Sequence, residues 1–190
     1  MIGTRSANWM NRLKELNCAD EEHAITLVAP LIERAPEIAK RVAHRRPFHR
    51  PDDLLQVIRS ELQGLGETER IDLFRAHPEL APENPLAMTS ESQSEQGRLN
   101  LTSEESEYRT RLSDLNARYR EKFGFPFITA LVRHRDISSV LSEFEVRLAN
   151  DRKSEIQQAI EQIAMVSSSR VQASFGSSDS RAPQDLPVNT

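Results

Sequence analysis

His77 is the one side chain in this sequence that suits proton transfer near neutral pH and also stands close to other polar groups of catalytic type. It follows the apolar-periodic run Ile71 to Phe74 and precedes Pro78, whose ring disfavours helical geometry in the residue before it. The spacing therefore predicts His77 at the end of a helix, free to point into a cleft. After a proline-broken connection, Ser92, Glu95 and Gln96 fall at i, i+3 and i+4, which on a helix sets a hydroxyl, a carboxylate and an amide on one face. Two readings fit that face: a binding surface, or the solvated start of an ordinary helix.

Other chemistries lack their motifs. The five histidines, His23, His44, His49, His77 and His134, include no i, i+4 pair and no His-Glu-x-x-His arrangement. The single cysteine, Cys18, supplies neither an intramolecular disulfide nor a cysteine zinc cluster, and reads as a small buried core residue. The six glycines form no phosphate loop, and no Gly-x-Ser-x-Gly elbow is present. Acid-base and hydrogen-bond chemistry remains, with no cofactor implied.

The elements that must position these groups read as helices. At 190 residues, 37% hydrophobic and 28% charged, the chain can build one compact domain with a real core. Apolar spacing near 3.6 residues predicts a helix over 21–35, with a break at Pro30 as the alternative, then one opening at Pro36 and stopping before Pro47. Pro51, Asp52 and Asp53 start the next, which a glycine at 64 or 66 ends, and Thr68 is expected to cap the helix that delivers His77. Residues 81–89 read as an irregular connection. Thr102 and Glu105 have capping-box spacing before the stripe Tyr108, Leu112, Leu115 and Tyr119, which Gly124 closes. Phe125 to Ile128 form an apolar plug, a helix begins after Asp136 or Ser138, and the last helix, with start signals at Asn150 and Ser154, carries Ile156, Ile160 and Ile163.

No segment alternates with period two. The prediction is an all-α, helical-bundle-like single domain of about eight helices over 9–170, with a flexible N-terminus at 1–8 and a disordered serine- and proline-rich tail over 171–190. A net charge of -4 with scattered basic residues gives no nucleic-acid or anionic-membrane surface. No secretory apolar region or membrane span is visible, so a soluble, cytoplasmic protein is expected.

Three motifs in order resemble one family. His77-Pro78-Glu79-Leu80-Ala81, then Ser92-Gln93-Ser94-Glu95-Gln96, then the block from Leu115 through Lys122-Phe123-Gly124-Phe125-Pro126-Phe127 to Ile128 are similar to the OHCU decarboxylases, over roughly Trp9 to Val171. That family converts 2-oxo-4-hydroxy-4-carboxy-5-ureidoimidazoline to S-allantoin and carbon dioxide in urate catabolism. The resemblance implies a cofactor-independent carboxy-lyase, because the substrate delocalises the electron pair left by carbon dioxide into its own ring. It also implies a homodimer.

By the same resemblance His77 is the acid-base residue and proton donor, and Pro78 fixes its approach. Ser92, Glu95 and Gln96 bind the ureido and ring edges. Phe127 walls the pocket, backbone groups of Ile128, Thr129 and Ala130 meet the ligand in a run ending at Leu131, and Arg170 pairs with a substrate carboxylate or carbonyl. One departure follows Gln96, where the family often continues with an Ala-Gly-Ala-Gly-Leu-like run and this chain reads Gly97-Arg98-Leu99-Asn100-Leu101. The competing reading is a non-catalytic all-α interaction module whose aromatic block is core.

Overall fold

The computed structural model describes residues 6–81, 89–99 and 108–176. Among the described residues there are nine α-helices and no strand: α1 (Ser6–Cys18), α2 (Glu21–Val28), α3 (Pro36–Ala43), α4 (Pro51–Gln63), α5 (Glu67–Ala76), α6 (Ser90–Arg98), α7 (Arg109–Phe123), α8 (Ile137–Leu148) and α9 (Arg152–Phe175). Their starts are chemically marked. The side chains of Asp20, Thr89, Asp136 and Asp151 each accept a hydrogen bond from a first-turn backbone N–H, and Pro36 and Pro51 stand where a missing N–H costs nothing. Thr68 does not cap α5. Gly66 holds the cap position, and the Glu69 carboxylate accepts from the Gly66 N–H at 2.9 Å.

The 24-residue helix α9 is the spine. Helix α4 lies along it, and α1 and α5 pack on it as well, burying Ile156, Ala159, Ile160 and Ile163. Described helix is found on both sides of each expected boundary. Helix α1 already begins at Ser6, and α9 continues beyond Arg170 with Val171 and Phe175 in the core. The hydrophobic stripe of α9 is broken after Val166 by three serines and Arg170 before Val171 resumes it, which hid its end in the sequence. Residues 177–190, the rest of the expected tail, lie outside the described residues.

Three interruptions of helix shape the interior. At Pro30 the chain leaves α2 through a short 3-10 turn, Ala29–Leu31, and Ile32 is extended. Arg34 then takes a positive φ of 51°, uncommon without glycine, and Glu33 is turned inward. At Pro78 helix α5 stops with His77 extended, as expected. At Gly124 helix α7 ends in the left-handed region, φ 78°, which glycine adopts without a Cβ clash. The Arg75 Nε donates to the Gly124 carbonyl at 3.0 Å and ties the ends of α5 and α7 together. Cys18 is exposed rather than buried, because it closes α1 on the side away from Leu13 and Leu16. The capping box at Thr102 and Glu105 and most of the connection over 81–89 lie outside the described residues.

Beyond Gly124 the aromatic plug is core, as the sequence implied. Phe127 stacks on Phe144 with ring centroids 3.9 Å apart, and the edge of Tyr119 meets Phe125, Phe127 and Phe144. Beneath it sits a buried polar group. Glu155 accepts from Arg147 Nε at 2.9 Å, from Asn150 at 2.8 Å and from the Tyr119 hydroxyl. Burial pushes the Tyr119 phenol well above its ordinary value, so it stays protonated as the donor. Removing Glu155 takes the acceptor from the Tyr119 hydroxyl and leaves the buried Arg147 with Glu143 and the Ile128 carbonyl in place of its buried counter-charge. Glu155→Ala is expected to destabilise the fold by about 3–5 kcal/mol in urea unfolding, and a loss under about 1 kcal/mol would show that the group relaxes into solvent.

Candidate active site

Five separate pieces of chain build one cavity of about 60 Å³. The turn after α2 contributes Leu31 and Glu33, the end of α5 contributes His77, Pro78 and Leu80, and α6 contributes Ser92 and Gln96. The aromatic block adds Phe127, Ile128, Thr129 and Leu131, and α9 closes the space with Ile163, Val166 and Ser167. His77 also borders a wider surface depression of about 270 Å³ that includes Arg75, Glu79 and Arg120, so it stands where the enclosed space meets the outside.

The state of His77 follows from its partners. Its Nδ1 lies 2.8 Å from the Leu73 carbonyl oxygen, and a carbonyl only accepts, so Nδ1 carries the hydrogen and Nε2 holds a lone pair. Burial pushes the imidazole below its ordinary 6.5, outweighing the Leu73 carbonyl and the Glu33 carboxylate, which favour the cation. At neutral pH the ring is a neutral base.

Glu33, which the sequence reading did not single out, is the anchor of the polar wall. Its carboxylate accepts from Ser92 Oγ at 2.6 and 2.8 Å and from Thr89 Oγ1 at 3.0 Å, and pairs with Arg170 Nη2 at 3.4 Å. Burial alone would raise the Glu33 carboxyl, but Ser92, the Arg170 charge, His77 and Thr89 together hold it below the usual range. It is therefore an anion. In sequence it looked like one more polar position on a helix over 21–35. The one signal for it was its place just after Pro30, where the helix breaks.

Most of the predicted site residues come together, with specific commitments. Ser92 gives its hydrogen to Glu33, and Arg170 reaches the cavity wall through the same carboxylate rather than lining the space itself. Gln96 clamps the chain after His77, accepting from the Ala81 N–H at 2.8 Å and donating to the Glu79 carbonyl at 3.1 Å. In the aromatic block, Arg147 Nη1 takes the Ile128 carbonyl at 2.7 Å and Gln162 Oε1 takes the Ala130 N–H at 2.9 Å, so those two backbone groups are already engaged. Ala130 is buried but does not line the cavity. Glu95 falls within α6, and its side chain lies outside the described residues. The departure after Gln96 keeps the helix going: Arg98 donates to the Leu131 and His134 carbonyls and fastens α6 to the far side of the pocket. Among the described residues no three His, Cys, Asp or Glu side chains are gathered as metal ligands would be.

A neutral histidine, a buried carboxylate and a small, mixed-polarity cavity inside an all-α domain define a pocket for acid-base work on a small polar molecule. Its family is specific. The model of the OHCU decarboxylases matches residues 17–172, and the chain belongs to that family. A 2-oxo-4-hydroxy-4-carboxy-5-ureidoimidazoline decarboxylase of Halalkalicoccus jeotgali is 34% identical over 166 residues, 86% of this chain and 92% of the relative. Among solved structures, an OHCU decarboxylase in the presence of (S)-allantoin superposes with a TM-score of 0.63 at 22% identity, covering 83% of this chain and 99% of that one. An (S)-allantoin synthase superposes with a TM-score of 0.64 at 20% identity over 86% of this chain, which spans about half, 53%, of its length. These two likenesses establish the fold.

The Glu33 anchor gives a direct test. Glu33→Ala leaves Arg170 buried without that partner and is expected to cost about 3–5 kcal/mol in urea unfolding at neutral pH. It also removes a field that favours the imidazolium, so the His77 titration, followed by NMR, moves further down. Because the folded Glu33 value is lowered, its contribution is present above the usual carboxylate range and disappears as pH falls through the lowered value. An upward shift of His77 in the variant would contradict this arrangement.

Proposed function

We infer that this protein decarboxylates 2-oxo-4-hydroxy-4-carboxy-5-ureidoimidazoline to (S)-allantoin and carbon dioxide in urate degradation. The observation that carries the reading is a neutral His77, its Nδ1 tied to Leu73, placed in the cavity wall within a chain whose family carries this activity. Family membership supplies the substrate, and the geometry supplies a sequence of steps for it.

Breaking the C4–carboxylate bond releases carbon dioxide and leaves the electron pair on C4, from which it flows into the adjacent C=N group. The ring nitrogen that receives it takes a proton from solvent. Nε2 of His77 accepts the proton of the 4-hydroxyl, and the resulting imidazolium returns it to C5, leaving C4=O and C5–H. His77 thus donates a proton only after accepting one. Delivery from one fixed wall sets a single configuration at C5, and the work of the site is orientation and charge placement. Pro78 and the Gln96 clamp hold the histidine end, while Glu33 holds Ser92 and Arg170. Ser92, Glu95 and Gln96 remain the proposed ureido-facing residues, with Phe127 and the run Ile128 to Leu131 as the opposite wall. Arg170 is proposed to act on the substrate carboxylate or carbonyl from behind Glu33.

The same reading assigns a homodimer, on the family resemblance, and a cytoplasmic setting, which suits a chain with one exposed cysteine. No described helix is long and apolar enough to cross a membrane.

Freshly generated substrate, made from urate by an oxidase and a hydrolase, is expected to disappear faster with this protein and to give optically active allantoin. His77→Ala is expected to lower kcat about 10²- to 10⁴-fold. Retention of the full acceleration in that variant would remove His77 from its role. Since the neutral imidazole is the working form, the acid limb of kcat/KM is expected below the ordinary histidine value of 6.5. A limb above that value would reverse the assigned protonation state.

A further inference from the structure

Ser167 is a buried polar group that the mechanism has left unused. It sits in the cavity wall beside Ile163 and Val166, is 1% exposed, and its Oγ has no hydrogen-bond partner in the protein. A mid-helix serine ordinarily returns its hydroxyl to the carbonyl one turn back or turns it to bulk water, and this one does neither. Buried polar atoms are almost always paired, and the exceptions concentrate where a ligand or water belongs. The cavity is well above the roughly 10–15 Å³ that one water needs. Gln162, five residues earlier, fixes this stretch of α9 to the aromatic block through its bond to the Ala130 N–H at 2.9 Å. The wall that carries Ser167 is therefore fastened in place.

The hydrogen-bond inventory of the wall indicates what Ser167 would meet. His77 presents the lone pair of Nε2, Glu33 presents a carboxylate, and the Ser92 hydrogen is given to Glu33. These groups suit the N–H and O–H side of a ureido-substituted ring. Its carbonyl oxygens need donors, and the Ser167 O–H is an uncommitted donor on the opposite helix.

We propose that Ser167 is a substrate-contacting, specificity-determining residue whose hydroxyl donates a hydrogen bond to a carbonyl oxygen of the bound ureido-ring compound. The proposal rests on the decarboxylase reading of the same cavity. (S)-Allantoin titrated by calorimetry into the wild type, Ser167→Ala and Ser167→Cys, together with KM, kcat and the ligand-free Tm of each, tests it. Both variants lack a strong donor, and alanine reduces the side-chain volume while cysteine enlarges it slightly, so both are expected to weaken allantoin and raise KM about two- to tenfold. The ligand-free Tm is expected to hold or rise, because an unsatisfied buried group has been removed. Unchanged Kd and KM in both variants would overturn the assignment, as would a lower Tm with binding intact, the signature of a purely structural hydroxyl. If the wild type neither bound allantoin nor accelerated decarboxylation, the functional reading would fall and the Ser167 proposal with it. Wild-type binding with unaffected variants sinks the proposal alone.

Discussion

Residues 125–130 run without helix through the interior, and among the described residues no strand takes their backbone groups. Buried N–H and C=O groups must be paired, so side chains from distant helices have to reach in. Arg147 comes from α8 for the Ile128 carbonyl, and Gln162 comes from α9 for the Ala130 N–H. Arg147 also lies over the Phe127 ring at 4.6 Å and is paired with Glu155, which holds Tyr119 and Asn150. The aromatic wall of the pocket is therefore held by the same polar group that joins α7, α8 and α9. A site wall built on an irregular segment gains rigidity in this way from side chains that do not themselves line the cavity.

The opposite wall solves a related problem with charge. A buried carboxylate is costly unless it is paired and hydrogen-bonded, and Glu33 satisfies both conditions with Arg170 and with the hydroxyls of Ser92 and Thr89. That one residue fixes α6 and α9 relative to the turn after α2. Its field also offsets part of what burial does to His77. Structure and tuning are thus not separable at this position, since any change to Glu33 moves both the packing and the histidine.

The parts of this molecule that were legible in the sequence are those governed by local rules. Proline at 78 sets the conformation of His77, Gly124 supplies a left-handed turn, and Pro36, Pro51 and Asp136 mark helix starts. The parts that were not legible depend on partners far along the chain. Glu33 meets Arg170 across 137 positions, a pairing that leaves no periodic trace. Thr68 had a capping side chain, but the Gly66 and Glu69 pair took the helix start, and the serines of α9 disguised a helix that reaches Phe175. Ser167 falls in the same class. It stands in a run of three serines that carries no motif, and only the enclosing of the cavity by five pieces of chain gives its hydroxyl a meaning.

The mixed polar and apolar lining of the cavity fits the chemistry assigned to it. Decarboxylation turns a localised carboxylate into a neutral molecule while the charge spreads into the ring, so the two ends of the substrate need different surroundings. Leu31, Phe127, Leu131, Ile163 and Val166 give an apolar surface on which carbon dioxide is no worse solvated than its precursor. Glu33, Ser92 and His77 supply polar groups to the same lining. The Glu33–Arg170 pair is neutral as a unit, so it orders that wall without adding the net negative charge that would disfavour an anionic substrate. A neutral His77 follows the same logic, because a permanent imidazolium could stabilise the bound carboxylate as strongly as the transition state and so lower KM without raising kcat.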